Sequence, residues 1–287
     1  MIMPRVIIWH YNYSMNETYF EEKNGLKLLR HEILRQYEGI ACAVSTRYRS
    51  VPVSREAPEG RINYDIALSS YSGNLEQREK ILEPMKLALG LKPGISSGAY
   101  MQQMHTANIA VIKHGGCLNL NTDGMVTDRP GIGLLALSAD CGMTCFYDRS
   151  AHAMAIMHSG WRGAFQNIYS AALNAMRLNY GTHAENIVAC AAPMISASNY
   201  EVKDDFISLL KLFYSGDFEK FLLHQDEKVF FDLRSLLLFQ LSDLGIRDVS
   251  FAPQCTYNEA SLFPSYRRDG NRGRSFHGHF GMMAALK

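Results

Sequence analysis

Nowhere in the 287-residue chain do about 18 apolar residues run without a charge, so no membrane-spanning helix is expected. The first twenty residues, MIMPRVIIWHYNYSMNETYF, lack the apolar core and small-residue cleavage site of a secretory signal. Cysteine is scarce: six residues, at 42, 117, 141, 145, 190 and 255, are too few and scattered for a disulfide scaffold. These absences lead to the expectation of a cytoplasmic protein with reduced thiols. Charge of one sign is lacking too, with 29 basic against 28 acidic side chains and a net charge of +1. Without a concentrated basic surface, nucleic acid is not an expected partner. The local basic cluster SYRRDGNRGR, near the end of the chain, still admits a small anionic ligand. No internal repeat or low-complexity linker is found. What remains, 47% apolar and 20% charged, is an ordinary globular composition with ample core.

Periodicity places the elements. Helical spacing of Leu26, Leu28, Leu29, Ile33 and Leu34 predicts a helix over 24–37. A second helix is predicted over 72–90, with Asn74 as a cap and Pro84 kinking or splitting it. Further helices are expected over 164–178, ending near Gly181, over 204–214, and over 232–244 between an Asp cap and Gly245. Strands are expected over 39–46, 107–113, 133–137, 142–147, 152–157, 187–192 and 246–252. The order lacks the steady alternation of a doubly wound parallel sheet, so the expected class is α+β. One domain is expected, 39–287, with residues 1–38 as an N-terminal segment packed on it.

One stretch concentrates chemistry. Residues 138–163, SADCGMTCFYDRSAHAMAIMHSGWRG, hold two cysteines, two histidines, a tryptophan and two arginines. Asp148-Arg149-Ser150-Ala151 is a turn signal between two apolar runs. A hairpin closing symmetrically about Arg149 and Ser150 sets Tyr147 opposite His152, Cys145 opposite Met154, Met143 opposite Ile156, and Cys141 opposite His158. Opposed side chains have Cβ atoms ~5 Å apart, close enough to share a metal ion or to form a nucleophile–base pair. Cys145 shares the face of Cys141 but lies about 13 Å further along an extended strand, so it reads as core. His152, at the turn, reads as a packing or surface residue. Asp140, Ser159-Gly160 and the start of a helix at Gly160-Trp161-Arg162-Gly163 crowd the same rim, which suits a polar or anionic ligand.

These residues resemble a known family, the laccase-domain or multicopper polyphenol oxidase-like proteins. Its bacterial members are also described as purine nucleoside phosphorylases and as a peptidoglycan editing factor. The matching blocks, in order, are STR at Ser45, QMHTANIAVI at Gln103, DGMVT at Asp123, SADCGM at Ser138, HSGWRG at His158, SNYEV at Ser198 and CTYNEASLFPSYRRDGNRGR from Cys255. The resemblance implies His105, Cys141 and His158 as metal ligands; without it His105 would pass for a strand-end histidine. Departures from the family pattern are Thr106 where Gly is usual, Gly142-Met143 where Pro follows, and YRSVPVS after Arg47.

The resemblance implies a mixed β-sandwich flanked by helices, with the metal at the base of a surface cleft. A Cys/His/His set leaves one tetrahedral position open, as in a catalytic zinc site, and Cu²⁺ would also bind such donors. The implied activity is a zinc-dependent purine nucleoside phosphorylase with adenosine deaminase activity on adenosine, inosine and methylthioadenosine, linked to peptidoglycan editing. Purine nucleoside and phosphate are then the partners, with Arg47 and Arg162 as the expected anion-binding residues. Tyr257, Phe263 and Tyr266 are aromatic candidates for a purine face by composition, though a core position is the stronger expectation. A true laccase mechanism is not expected, because the histidines make only one His-x-His pair, His277-Gly278-His279. Two alternatives stay open: a metal-free hydrolase with Cys141 as nucleophile and His158 as base, and a non-enzymatic metal-dependent binding protein.

Overall fold

The computed structural model describes residues 18–49, 62–63, 75–270 and 278–287. The expected cap at Asn74, the segment that follows Arg49 and the basic run beyond Gly270 lie outside those residues. Two mixed sheets face each other. One is ordered, edge to edge, Thr18–Lys23, Leu26–His31, Ile40–Arg49, Phe280–Leu286, Gly133–Ser138, Gly98–Met101 and Cys117–Asn119, with Ile62–Asn63 paired on Ile40–Arg49. The other runs Asp248–Phe251, Ile187–Ala191, Gly142–Asp148, Ala153–Ser159, Gly124–Thr127 and Ile109–Val111. A small third sheet joins Glu201–Val202, Lys228–Phe231 and Leu222–Gln225.

Val44, Leu134, Ala136 and Met282 of the first large sheet meet Met143, Cys145, Ile156 and Cys190 of the second to form the inner core. Phe146, Ala155 and Met157, one residue out of phase, point the other way onto the helices Ile168–Tyr180 and Leu233–Asp243. Helix Leu75–Ala88 covers the far face of the first sheet through Leu82 and Met85. Strands buried on both faces are unbroken apolar runs, conspicuous in the sequence but without a polar alternation to mark their faces. The α+β class holds, and helices lie outside a sandwich of sheets. No helix among the described residues is long and apolar enough to cross a membrane.

Several expectations fail locally. Residues 24–37 are a hairpin strand, not a helix: Lys23 pairs with Leu26, so Asn24-Gly25 is a two-residue turn with both φ angles positive, 51° and 75°. Strand Leu26–His31 carries a bulge between Leu26 and Leu28 and buries both faces, and this irregular spacing imitates a helical period. Only 32–34 turn helically, as a 3-10 segment. The helix expected over 164–178 is two helices, Trp161–Phe165 and Ile168–Tyr180. Between them Asn167 turns left-handed (φ 55°), and its side-chain oxygen accepts the Ser170 N–H to cap the second. Helix Leu75–Ala88 runs through Pro84 without splitting.

Candidate metal centre

The hairpin of Gly142–Asp148 and Ala153–Ser159 closes two residues away from the symmetric register. Asp148 pairs with Ala153, Tyr147 with Met154, Cys145 with Ile156, and Met143, not Cys141, with His158. The turn is longer because the Asp148 carboxylate accepts the N–H groups of both Ser150 and Ala151, while His152 adopts φ 49°. A shift of two preserves the face of every side chain. Cys141 therefore still shares a face with His158, but diagonally, one step beyond the strand's first residue. The residue opposite Cys141 in this register is Gly160. A Cβ there would lie 2.4 Å from His105 Cδ2 and 3.2 Å from Cys141 Sγ, so the glycine makes room for the cluster.

His105 arrives from the other sheet, on the loop that follows Gly98–Met101, in a left-handed conformation (φ 60°). Gln103 fixes that loop: its amide nitrogen donates to Leu137 O (2.7 Å) and its amide oxygen accepts the Leu137 N–H (2.9 Å). Asp123 holds the rest. Its buried carboxylate accepts the backbone N–H groups of Met104, His105 and Thr106 and the Thr106 hydroxyl at 2.7–3.0 Å. The same carboxylate sits 2.9 Å from His158 Nδ1, leaving Nε2 as the free ring nitrogen. The departure at Thr106 thus adds two hydrogen bonds that glycine could not make, one to Asp123 and one from the Asn108 N–H.

The donor atoms of His105, Cys141 and His158 all lie within 4.8 Å of one another. Cys141 Sγ is 3.9 Å from His105 Nε2, and the two imidazole rings stand edge to face with centroids 5.0 Å apart. Burial pushes the Cys141 thiol up, but the charge of His158 and contacts with both histidines outweigh it and bring its pKa down to about 6. Burial pulls His158 down, and the opposing Cys141 charge and Asp123 hydrogen bond raise it to about 9. Burial raises Asp123 as well, yet its hydrogen bond to His158 and the charge of that ring hold it at about 2. A low-pKa thiol and two imidazole rings within 4.8 Å of one another, one ring oriented by a carboxylate, form a donor set that fits a zinc ion.

The cluster lies in a cleft of about 800 Å³ walled by Leu135, Leu137, Trp161, Tyr200, Phe206 and Arg267. Of the expected anion-binding residues, Arg47 is turned onto the C-terminal segment, 3.6 Å from Asp269 and bonded to Ala260 O. Arg162 is exposed and stacks on Trp161, 4.2 Å from its ring. Neither lines the cleft. Among the aromatic candidates, Phe263 is core, Tyr257 is half-buried away from the cleft, and exposed Tyr266 stands on its rim. Cys145 is buried between the sheets, and His152 contacts Tyr147 and the carbonyl of Lys287 at the turn.

No local pattern marks Asp123, although it opens a quoted block, nor Tyr200, Arg267 or His279; Asp140 is on the expected rim, but its partners are not legible there. Asp140, beside Cys141, adopts φ 99°, and its carboxylate accepts from the Thr256 hydroxyl (2.6 Å), the Ser265 hydroxyl (3.0 Å) and the Arg267 N–H (2.7 Å). These contacts span more than a hundred residues, so no local spacing announces them.

Residues 58–280 match the family described as multi-copper polyphenol oxidoreductase laccase. A purine nucleoside phosphorylase of Campylobacter jejuni is 32% identical over 182 residues, 63% of this chain and 75% of that protein. The Escherichia coli purine nucleoside phosphorylase YfiH is 25% identical over 239 residues, 83% of this chain and 93% of its own. In fold, the chain is similar to the crystal structure of YlmD from Geobacillus stearothermophilus, with a TM-score of 0.79, 20% identity, and coverage of 94% and 99%.

Proposed function

Because the chain belongs to the multi-copper polyphenol oxidoreductase laccase family, we propose that it is a cytoplasmic, zinc-dependent purine nucleoside phosphorylase that also deaminates adenosine. The observation that carries the reading is the convergence of His105, Cys141 and His158 within 4.8 Å in the lining of a cleft. The phosphorylase names of the relatives supply the substrate class. When bound there, zinc supplies a Lewis acid that lowers the pKa of a coordinated water toward ~7; copper(II) would compete for the same donors.

The chain's own residues do the rest. Asp123 keeps the proton of His158 on Nδ1 and so presents Nε2 as a lone-pair donor. It also pins the loop that carries His105. Trp161, Tyr200 and Phe206 give the cleft an aromatic wall against which a purine can stack. In phosphorolysis a phosphate oxygen bonds to the ribose anomeric carbon as the C–N bond to the base breaks. The products are ribose 1-phosphate and the free purine.

Elemental analysis of purified protein, with assays of adenosine and inosine with and without phosphate, tests this reading. About one zinc per chain is expected from a three-ligand site. Base release should require phosphate and vanish in Cys141→Ala, in His105→Ala and after chelation. The low pKa of Cys141 beside His158 favours a second reading, a metal-free thiol nucleophile with its base. That reading expects Cys141→Ser to be inactive while chelators do nothing. Protein free of zinc and fully active in chelator would overturn the first reading.

A further inference from the structure

We propose that Arg267 binds the phosphate group of the substrate in this cleft. The inference rests on the phosphorylase reading and names the side chain that would take its anion. Among the described residues, Arg267 is the one arginine that lines the cleft. Arg47 is committed to Asp269 and Ala260, and Arg162 lies outside on the Trp161 ring.

Arg267 is held as a binding residue must be. Its backbone N–H is fixed by Asp140, the neighbour of Cys141, and its Nη1 donates to Glu201 O at 3.0 Å. Its guanidinium carbon stands 5.3 Å from the centre of the Tyr200 ring. A guanidinium carries five N–H donors in a planar fork, which matches the geometry of a bidentate contact to phosphate. Tyr200, Asp140 and Cys141 line the same cleft as Arg267.

The acidic residues that line the cleft do not oppose an anion equally. Asp140 already accepts three hydrogen bonds, and the Glu201 carboxylate is paired with Lys228 at 3.0 Å. Asp205 is exposed, two residues from the cation Lys203, which also lines the cleft. The Arg267 fork and the proposed metal ligands thus border one space. Such a space can hold an anion beside the bond to be broken.

The phosphate could be inorganic phosphate or the 5′-phosphate of a nucleotide, so the test carries both. Binding of inorganic phosphate and of adenosine 5′-monophosphate is measured by calorimetry on zinc-loaded wild type, Arg267→Gln and Arg267→Lys. KM values for phosphate and inosine are measured alongside, with melting temperature and zinc content as controls for folding and loading. Losing a charge-assisted pair should weaken phosphate binding and raise its KM about 10- to 100-fold in Arg267→Gln. KM for inosine should change little, and Arg267→Lys should recover part of the loss. A loss confined to the nucleotide would support the site and identify its source as a 5′-phosphate. Unchanged affinity for both inorganic phosphate and adenosine 5′-monophosphate, with unchanged KM for phosphate, in a folded, loaded Arg267→Gln that still phosphorolyses inosine would overturn the proposal alone. Wild type that neither binds phosphate nor phosphorolyses nucleosides would overturn the phosphorylase reading, and this inference with it.

Discussion

Asp123 bears on two of the three donors at once, through the His105 backbone and the His158 ring. Its substitution by Asn keeps the shape but replaces one oxygen by an N–H donor and removes the charge. If the amide oxygen faces His158, the weaker acceptor loosens the tautomer; if the amide nitrogen does, it forces the proton onto Nε2, which then cannot ligate. Asp123→Asn should therefore lower zinc affinity about 10- to 100-fold, measured by competition with a chromophoric chelator. Wild-type affinity in that variant would remove Asp123 from the machinery. At this scale the sequence was partly legible. His158 and Cys141 could be paired from strand parity, whereas His105 needed the family's motif. Asp123 stayed silent because its partners lie 17 to 35 positions away.

The hairpin shows what an element can and cannot disclose. Its existence and the face of each side chain follow from period-two alternation and turn chemistry. Its register depends on how many residues the turn consumes, and the Asp148 side chain settles that by taking two backbone N–H groups. The difference is two residues, so Cys141 kept its face and lost only its directly opposed partner. That partner is Gly160, whose φ of −66° suits any residue, so space alone demands the glycine. In Gly160→Ala the new methyl would collide with the His105 ring and press on Cys141. The variant should fold, with its circular dichroism unchanged, yet bind zinc at least ~10-fold more weakly. Full zinc occupancy after dialysis would show that the loop yields without cost to the site. Residues 24–37 illustrate the opposite failure: Asn24-Gly25 was a legible turn signal, but a bulged strand buried on both faces concealed its period.

Across the whole molecule the two sheets are tied at a polar point as well as through the core. His31, at the end of Leu26–His31, sits with Nδ1 2.8 Å from the Ser250 hydroxyl of Asp248–Phe251 in the opposite sheet. Burial lowers its pKa from 6.5 to about 4. Below pH 6.5 the unfolded chain takes up a proton that the folded chain refuses. Stability contributed by neutral His31 is therefore present above pH 6.5 and is lost as pH falls toward 4. The shift predicts that the protein loses about 2 kcal/mol between pH 7 and pH 5 through this residue. Urea unfolding at both values should show a pH slope smaller by that amount in His31→Gln. An identical slope in the variant would show that His31 does not carry it.

Local chemistry was enough to establish by sequence alone a mixed α+β chain, seven of its strands and most of its helices, and a thiol and an imidazole on one face of a hairpin. Burial periodicity, turn residues and caps act over a few neighbours, and a sequence displays neighbours directly. The tertiary structure decided what depends on distant approach. It brought His105 across from the other sheet, set Asp123 behind two histidines, and reserved Gly160 as open space. It also moved Arg47 out of the cleft while Asp140 drew Arg267 into it. Those choices are made by packing two sheets face to face, and no spacing along the chain encodes which loop ends meet when they do.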